Sequence, residues 1–235
     1  MSIRIAALAA CLGVFVTPLS AQSEFGGEFV LGYSFDAGNA SRNKREIGVA
    51  GEFRAQGFGG QADYTNYRLG GTGTSADGYG LHLNFSPSLG TAVGGFYAHD
   101  TGTTFGSISY YGAEAQIGVA QGSVETHIGI AQFGAGNGTL YGLRGDYATP
   151  QGVNVYATAD HVGLTGAYVN RFGIGGGVTL ADRFDLSAEI GSASVNSGGA
   201  TTSSAYIGLQ GSVTFGAGKG ATFERRGLLN RLPGF

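Results

Sequence analysis

From Tyr206 to Phe215 the sequence keeps a two-residue period, in which Gly211 takes one of the apolar positions. Ile207, Leu209 and Val213 therefore share one face of an extended strand, and polar residues or glycine occupy the other face. Isolated strands of a soluble sandwich show this period too. Here it recurs in strand after strand of about ten residues, and the second face is never core-like, which is the pattern of a barrel in a bilayer.

The alternation predicts an all-β fold, a transmembrane antiparallel up-and-down β-barrel of about 12 strands. The sheet must close, because every backbone polar group in hydrocarbon needs a partner within the protein. Connections after odd-numbered strands are predicted to be longer than those after even-numbered strands, the usual difference between external loops and periplasmic turns. The strands are predicted at 25–36, 45–55, 57–67, 78–86, 90–99, 109–120, 123–133, 139–148, 152–161, 168–180, 183–193 and 204–215.

The first 21 residues have the features of a cleaved signal peptide. Arg4 precedes an apolar run of about twelve residues, too short for a membrane-spanning helix, and small residues lead to Ala21. Cys11 is the single cysteine and lies in this segment, so the mature chain is expected to lack disulfides and thiol chemistry. With 46 glycines and 12% charged residues, the chain is unlike an ordinary helical enzyme. We divide it into a signal peptide (1–21), a barrel (22–215) and a tail (216–235).

The chain resembles Gram-negative outer-membrane β-barrel proteins, and more loosely the small porin-like ones, over residues 24–215. The most specific part is the last strand, whose Tyr206, Gly208, Val213 and Phe215 are similar to the assembly signal of that class. The resemblance implies an outer-membrane location, with outer-membrane lipid and the barrel-assembly machinery as partners. The chain departs from the class because residues follow Phe215, where such proteins normally end. Nothing suggests nucleic-acid binding.

Aromatic residues sort toward the two ends of the predicted barrel, as in interfacial girdles. Phenylalanines fall toward the short turns. The tyrosines expected in the external girdle are Tyr33, Tyr67, Tyr79, Tyr97, Tyr110, Tyr141, Tyr168 and Tyr206.

The inward face combines many glycines with charged residues. Small lining residues favour a hollow lumen, although the glycines could instead relieve curvature or accommodate larger side chains. Residues 22–215 hold fifteen acidic and eight basic side chains, a net charge of −7. We therefore predict a porin-like channel for passive diffusion of small hydrophilic solutes, mildly cation-selective. The alternative is a closed structural or surface-interaction barrel in which the charges pair. The predicted pore-lining residues are Glu28, Glu46, Glu52, Arg54, Asp63, Glu114, Glu125, His127, Arg144, Asp146, Arg171, Asp185 and Glu189.

No residue is assigned a catalytic role, and no metal site or cofactor is expected. Adjacent residues of a strand point to opposite faces, so neither His99–Asp100 nor Asp160–His161 can form a dyad by itself, and only a combination across the barrel could do so. His82 and His127 take inward positions without an obvious nucleophile beside them. A barrel hydrolase is the third hypothesis.

The tail breaks the alternation and is basic. It carries Lys219, Arg225, Arg226 and Arg231 against Glu224, and residues 222–232 are predicted to form a short amphipathic helix. Such a segment could plug the acidic lumen, bind a periplasmic partner, touch the inner leaflet or remain flexible.

Overall fold

The computed structural model describes residues 23–88, 90–103, 105–216 and 220–233. The predicted signal peptide lies outside these residues. One helical turn, α1 (Leu228–Arg231), follows the strands. The strands are β1 (Ser23–Asp36), β2 (Asn39–Ala55), β3 (Phe58–Leu69), β4 (Thr74–Ser88), β5 (Thr91–Gly102), β6 (Gly106–Val119), β7 (Gly122–Phe133), β8 (Gly136–Ala148), β9 (Val153–Leu164), β10 (Ala167–Leu180), β11 (Phe184–Ser197) and β12 (Ala200–Gly216).

These 12 strands form a single closed antiparallel barrel in which each pairs with its neighbours in sequence. Closure is made by β1 and β12, whose register places Phe29 opposite Val213 and Gly27 opposite Phe215. The predicted fold class is therefore confirmed. β1 begins and β12 finishes at the same end of the barrel, which we name the terminal end.

Side chains alternate between an exposed apolar outer face and a buried polar inner face. Leu83 is 75% exposed and Ile128 67% exposed, whereas His82 is 1% exposed and Glu52 2% exposed. This is the inverse of a soluble protein and matches a wall that faces lipid outside and charge inside. Within the described part of the chain, no helix is long and apolar enough to cross a bilayer.

The prediction of long loops after the odd-numbered strands is wrong. Every connection at the end opposite the termini has four residues or fewer, and the strands are 12 to 17 residues long. Backbone hydrogen bonding does not require apolar side chains, so the hairpins continue through polar, glycine-containing segments beyond the apolar band. The pairing of Asn66 with Asp77 and of Asn196 with Thr201 illustrates this extension.

Three tyrosines assigned to the external girdle instead lie inside the barrel. Tyr67, Tyr110 and Tyr206 are at most 3% exposed, whereas Tyr97 and Tyr141 are exposed on the outer face as predicted. The three buried rings have inward parity on their strands, which outweighs their position near a strand end.

On β5 the inward face consists mainly of apolar residues, which is why its alternation is ambiguous in the sequence. Ala92, Phe96 and Ala98 are buried, and Val93 and Tyr97 are exposed. Phe96 and Ala98 belong to a buried apolar cluster inside the barrel. The lumen is therefore lined by an apolar patch as well as by charge.

A charged side chain in the middle of the outer face should oppose insertion. Leu81 lies between Tyr79 and Phe85 on β4 and is 58% exposed. We expect Leu81→Arg to lower the free energy of unfolding from lipid vesicles by about 2–4 kcal/mol, because the guanidinium must enter hydrocarbon. Ser203→Arg, on the part of β12 that extends past the apolar band, is the control and should change it by less than about 1 kcal/mol. Equal losses in both variants would contradict the assigned outer face.

Candidate functional site in the lumen

The described part of the C-terminal tail lies inside the barrel. The short tail predicted from the sequence is present, and residues 220–233 enter the lumen from the terminal end. The predicted helix over 222–232 is reduced to the single turn α1, which follows Gly227 at φ 115°. Before that turn, side chains of the wall accept hydrogen bonds from the amides of Thr222, Phe223 and Glu224.

The tail is first held near the terminal end by three polar side chains of the wall, those of Glu52, Arg54 and Gln61. The amide of Thr222 donates to Oε2 of Glu52 over 2.9 Å, and the Thr222 hydroxyl contacts both Glu52 and Arg54. The Gln61 side chain donates to the carbonyl of Phe223 over 2.9 Å and accepts from its amide over 3.1 Å. Gln61 therefore pairs with the tail backbone as a neighbouring strand would.

Arg226 is a deeply buried cation of the tail. Its guanidinium donates to Glu114 over 2.9 Å and to Glu125 over 2.6 Å, and its side chain is 1% exposed. The same group lies 5.6 Å from the ring centre of Phe96. Two buried carboxylates and one buried guanidinium thus depend on each other for charge compensation.

His82 extends this network through the wall. Nδ1 of His82 lies 2.7 Å from Glu114, and Nε2 lies 3.2 Å from Asp63. The imidazole stacks on Phe223 with ring centres 6.1 Å apart. The sequence predicts that Asp63, Glu114 and Glu125 face inward, but it does not predict that they share one network. Their common inward parity is the feature of the sequence that could have indicated it.

Arg225 binds a second group of wall residues. It donates to Thr65 over 2.8 Å and to Glu46 over 3.4 Å. Gly48 makes room for it, because a Cβ at this position would collide with the guanidinium. Lys44 also pairs with Glu46, at 3.3 Å, and donates to the carbonyl of Leu229 over 2.9 Å.

At the far end of its path the tail is held by Asp100 and Tyr110. The Asp100 carboxylate accepts from the amide of Leu229 over 3.1 Å, and the Tyr110 hydroxyl accepts from the amide of Leu228 over 3.1 Å. Leu229 packs against Tyr67 in a small buried cluster. Gly227 is required beside Asp100, since its φ is positive and a Cβ would meet that carboxylate.

Glu224 and Arg231 connect the tail to the wall on the other side. Arg144 donates to Glu224 over 2.6 Å, and Arg231 lies 3.1 Å from Glu224 and 3.4 Å from Asp160. Burial alone would raise the pKa of Glu224, but the guanidinium groups of Arg144 and Arg231 outweigh it and hold that pKa well below its usual range. Glu224 therefore stays ionised in the lumen.

Several inward glycines make room for charged neighbours. A Cβ at Gly80 would collide with Asp63, one at Gly32 with Glu46, and one at Gly142 with His127 and Asp160. The hollow lumen favoured by the small lining residues is in part filled by these side chains and by residues 220–233. The alternative, in which glycines accommodate larger side chains, describes the wall better.

A cavity of about 490 Å³ remains between the tail and the wall, on the side of β8 to β12 and β1. Five of the predicted pore-lining residues do not border this cavity. Glu52 and Glu114 bind the tail, and Asp63 binds His82. Arg54 contacts Glu52 and Thr222, and His127 lies beside Phe96. The predicted pore-lining residues that border the cavity are Glu28, Glu46, Glu125, Arg144, Asp146, Arg171, Asp185 and Glu189.

The last strand contributes to both faces of the wall. Val213 and Phe215 are exposed outside, and Gly208 takes inward parity. Tyr206 lies inside and bonds to Glu189 over 2.5 Å, while Arg171 donates to Tyr206 over 2.9 Å. The role of these residues in assembly stays a prediction.

The histidines near the strand ends do not assemble a catalytic triad. His99 lies 3.0 Å from the Ser109 hydroxyl, a contact that the sequence did not suggest. Its hydrogen bonds within the described chain include no carboxylate, and Asp100 points into the lumen. His161 stacks on Tyr141 at 4.6 Å outside, while Asp160 pairs with Arg171 inside. No group of three or more ligand-type side chains able to hold a metal ion occurs among the described residues.

No protein family and no curated protein matches the sequence. A solved KdgM porin in complex with disordered oligogalacturonate aligns with a TM-score of 0.62 at 9% identity, over 80% of this chain and 99% of that one. Another structure of KdgM porin aligns at 0.59 and 10% identity, over 78% and 97%. An outer-membrane channel from Pseudomonas putida F1 aligns at 0.53 and 12% identity, over 86% and 100%. The chain has the fold of a small porin-like outer-membrane β-barrel.

Removing the Arg226 charge should loosen the tail. We expect Arg226→Gln to weaken tail docking by about 3–5 kcal/mol, because Glu114 and Glu125 would be left buried without their cation. The measurement is hydrogen exchange of the amides of residues 221–233. Arg42→Gln is the control, since the Arg42 side chain is 53% exposed and pairs at 3.9 Å with Asp36 of β1 and not with the tail. We expect it to leave the protection of these amides unchanged. Unchanged protection in Arg226→Gln would contradict the assigned network.

Proposed function

We propose that this protein is a porin-like channel of the outer membrane, and that its C-terminal tail occupies the lumen and limits passage. The observation that carries the proposal is the tail itself, which lies in a charged lumen and leaves a cavity along one wall. The described tail enters at the terminal end and reaches Asp100 and Lys44. With the terminal end in the periplasm, the tail enters from the periplasmic side.

Solutes would pass by diffusion along the cavity. Seven carboxylates and five cationic side chains border it. This excess supports a mild preference for small hydrophilic cations, since a low-dielectric wall focuses the field of the lining charges. Displacement of the tail would expose Glu46, Glu114 and Glu125 and strengthen that preference.

The second candidate is a closed structural or surface-interaction barrel, and the buried ion network supports it. Arg225, Arg226 and Arg231 each pair with a carboxylate of the wall, and Gln61 clamps the backbone. A tail held permanently by these bonds would leave no continuous path. Conductance separates this candidate from the first.

The same proposal covers the chemistry of the protein and its partners in the membrane. The protein acts without covalent chemistry, its exposed outer face contacts outer-membrane lipid, and its last strand engages the barrel-assembly machinery. The oligogalacturonate named for one KdgM structure is anionic, whereas the lumen described here has an acidic excess, so we do not extend that ligand to this chain.

Single-channel recording of the mature protein in a planar bilayer with a salt gradient tests the function. We expect resolved current steps and a reversal potential that favours cations. Glu28→Gln together with Asp185→Asn should shift the reversal potential toward zero, because both carboxylates border the cavity. Asp182→Asn is the control: Asp182 lies in the exposed β10–β11 turn at φ 62°, which asparagine also adopts.

A folded protein that passes no current would favour the closed barrel. An anion-favouring reversal potential in the wild type would contradict the proposed selectivity. A current that is identical in the wild type and the lumen double variant would place the conducting path elsewhere.

A further inference from the structure

Two arginines are directly opposed on the outer face of the barrel. Arg45 of β2 and Arg68 of β3 are register partners, and both are exposed. Like charges at directly opposed positions of an antiparallel pair are destabilising unless something neutralises them. This pair is therefore a feature that the barrel fold alone does not explain.

The pair lies where the outward apolar residues end. Ile47, two residues from Arg45 on the same face of β2, is 52% exposed. Tyr33, which is opposite Arg45 on β1, is exposed and belongs to the predicted aromatic girdle. Aromatic girdles mark the level at which lipid headgroups meet the hydrocarbon. The two guanidinium groups thus lie beside that level, at the end opposite the termini.

No carboxylate of the described chain lies within ion-pair distance of either guanidinium. Asp77, the outward carboxylate of the adjoining strand, accepts from Tyr64 over 2.7 Å and from Asn66 over 2.9 Å instead. Asp36, at the end of β1, pairs with Arg42. Two cationic groups are therefore left for a partner outside the chain.

We propose that Arg45 and Arg68 form a binding site for the phosphate of an anionic lipid headgroup. Planar guanidinium groups match phosphate oxygens with paired hydrogen bonds, and two of them side by side can share one phosphate. The exposed side chains of Leu31 and Ile47 lie next to the site on the apolar side, where they would contact the acyl chain. That apolar surface favours a lipid over free phosphate as the ligand.

The site rests on the proposed membrane location but not on conduction. The binding measurement and the channel recording are therefore separate readouts, and a silent barrel can still bind lipid.

The test uses the mature protein in neutral detergent micelles with added bisphosphorylated lipid A. Binding is measured as the shift of the thermal unfolding midpoint against lipid concentration. We expect saturable stabilisation of the wild type, and at least tenfold weaker apparent binding by the double variant Arg45→Gln with Arg68→Gln. Arg183→Gln removes an exposed arginine from the terminal end and should bind as the wild type does. Arg45→Lys with Arg68→Lys should recover part of the binding, because it keeps charge without the planar fork.

Two further arms separate the sources of the effect, and a gel assay checks folding. Phosphatidylcholine, which carries no net charge, should stabilise the wild type and the double variant equally. Inorganic phosphate at the same concentration should have no effect; stabilisation equal to that by lipid A would overturn the lipid as the ligand. Retained heat-modifiable gel mobility checks that each variant is folded, and unaltered lipid A binding by a folded double variant would overturn the site.

Discussion

Charges inside a closed barrel must be paired, and this constraint governs the rest of the structure. Burying an unpaired carboxylate is costly, and the inner wall carries more carboxylates than cations. The tail supplies Arg225, Arg226 and Arg231, and each reaches a carboxylate of the wall. The tail and the lumen are therefore complementary in charge, and pairing lowers the cost of burying the charged groups of both.

The wall is built to receive that segment. Glycines let carboxylates and guanidinium groups lie flat across neighbouring strands, as Gly80 does for Asp63 and Gly48 for Arg225. Gln61 offers its amide to the backbone of the tail, and Phe96 supplies an apolar surface beside Arg226. Contacts are concentrated on β2 to β7, and the cavity lies on the other side. The lumen therefore has one side filled by the tail and one side that holds the cavity.

The alternation of side chains was enough to predict the barrel, its 12 strands and the inward carboxylates, because each strand of a closed sheet separates lipid from lumen. Loop lengths could not be predicted that way, since backbone pairing continues through polar segments such as the start of β2. β5 carries apolar residues on both faces, so its sequence does not show which face is inward. Tyr206 lies at the level of the predicted girdle, but its parity on β12 directs it inward. The basic composition of the tail suggested an acidic partner, but its path depends on contacts such as Gln61 with Phe223, which have no signature in sequence.

The central claim is that the tail restricts the lumen, and removing it is the most direct test. Single-channel conductance should be compared between the full mature chain and a chain lacking residues 217–235, after both show the mobility of a folded barrel. We expect a larger conductance without the tail, together with a stronger preference for cations, because Glu46, Glu114 and Glu125 lose their guanidinium partners. Equal conductance and equal selectivity in the two proteins would contradict it.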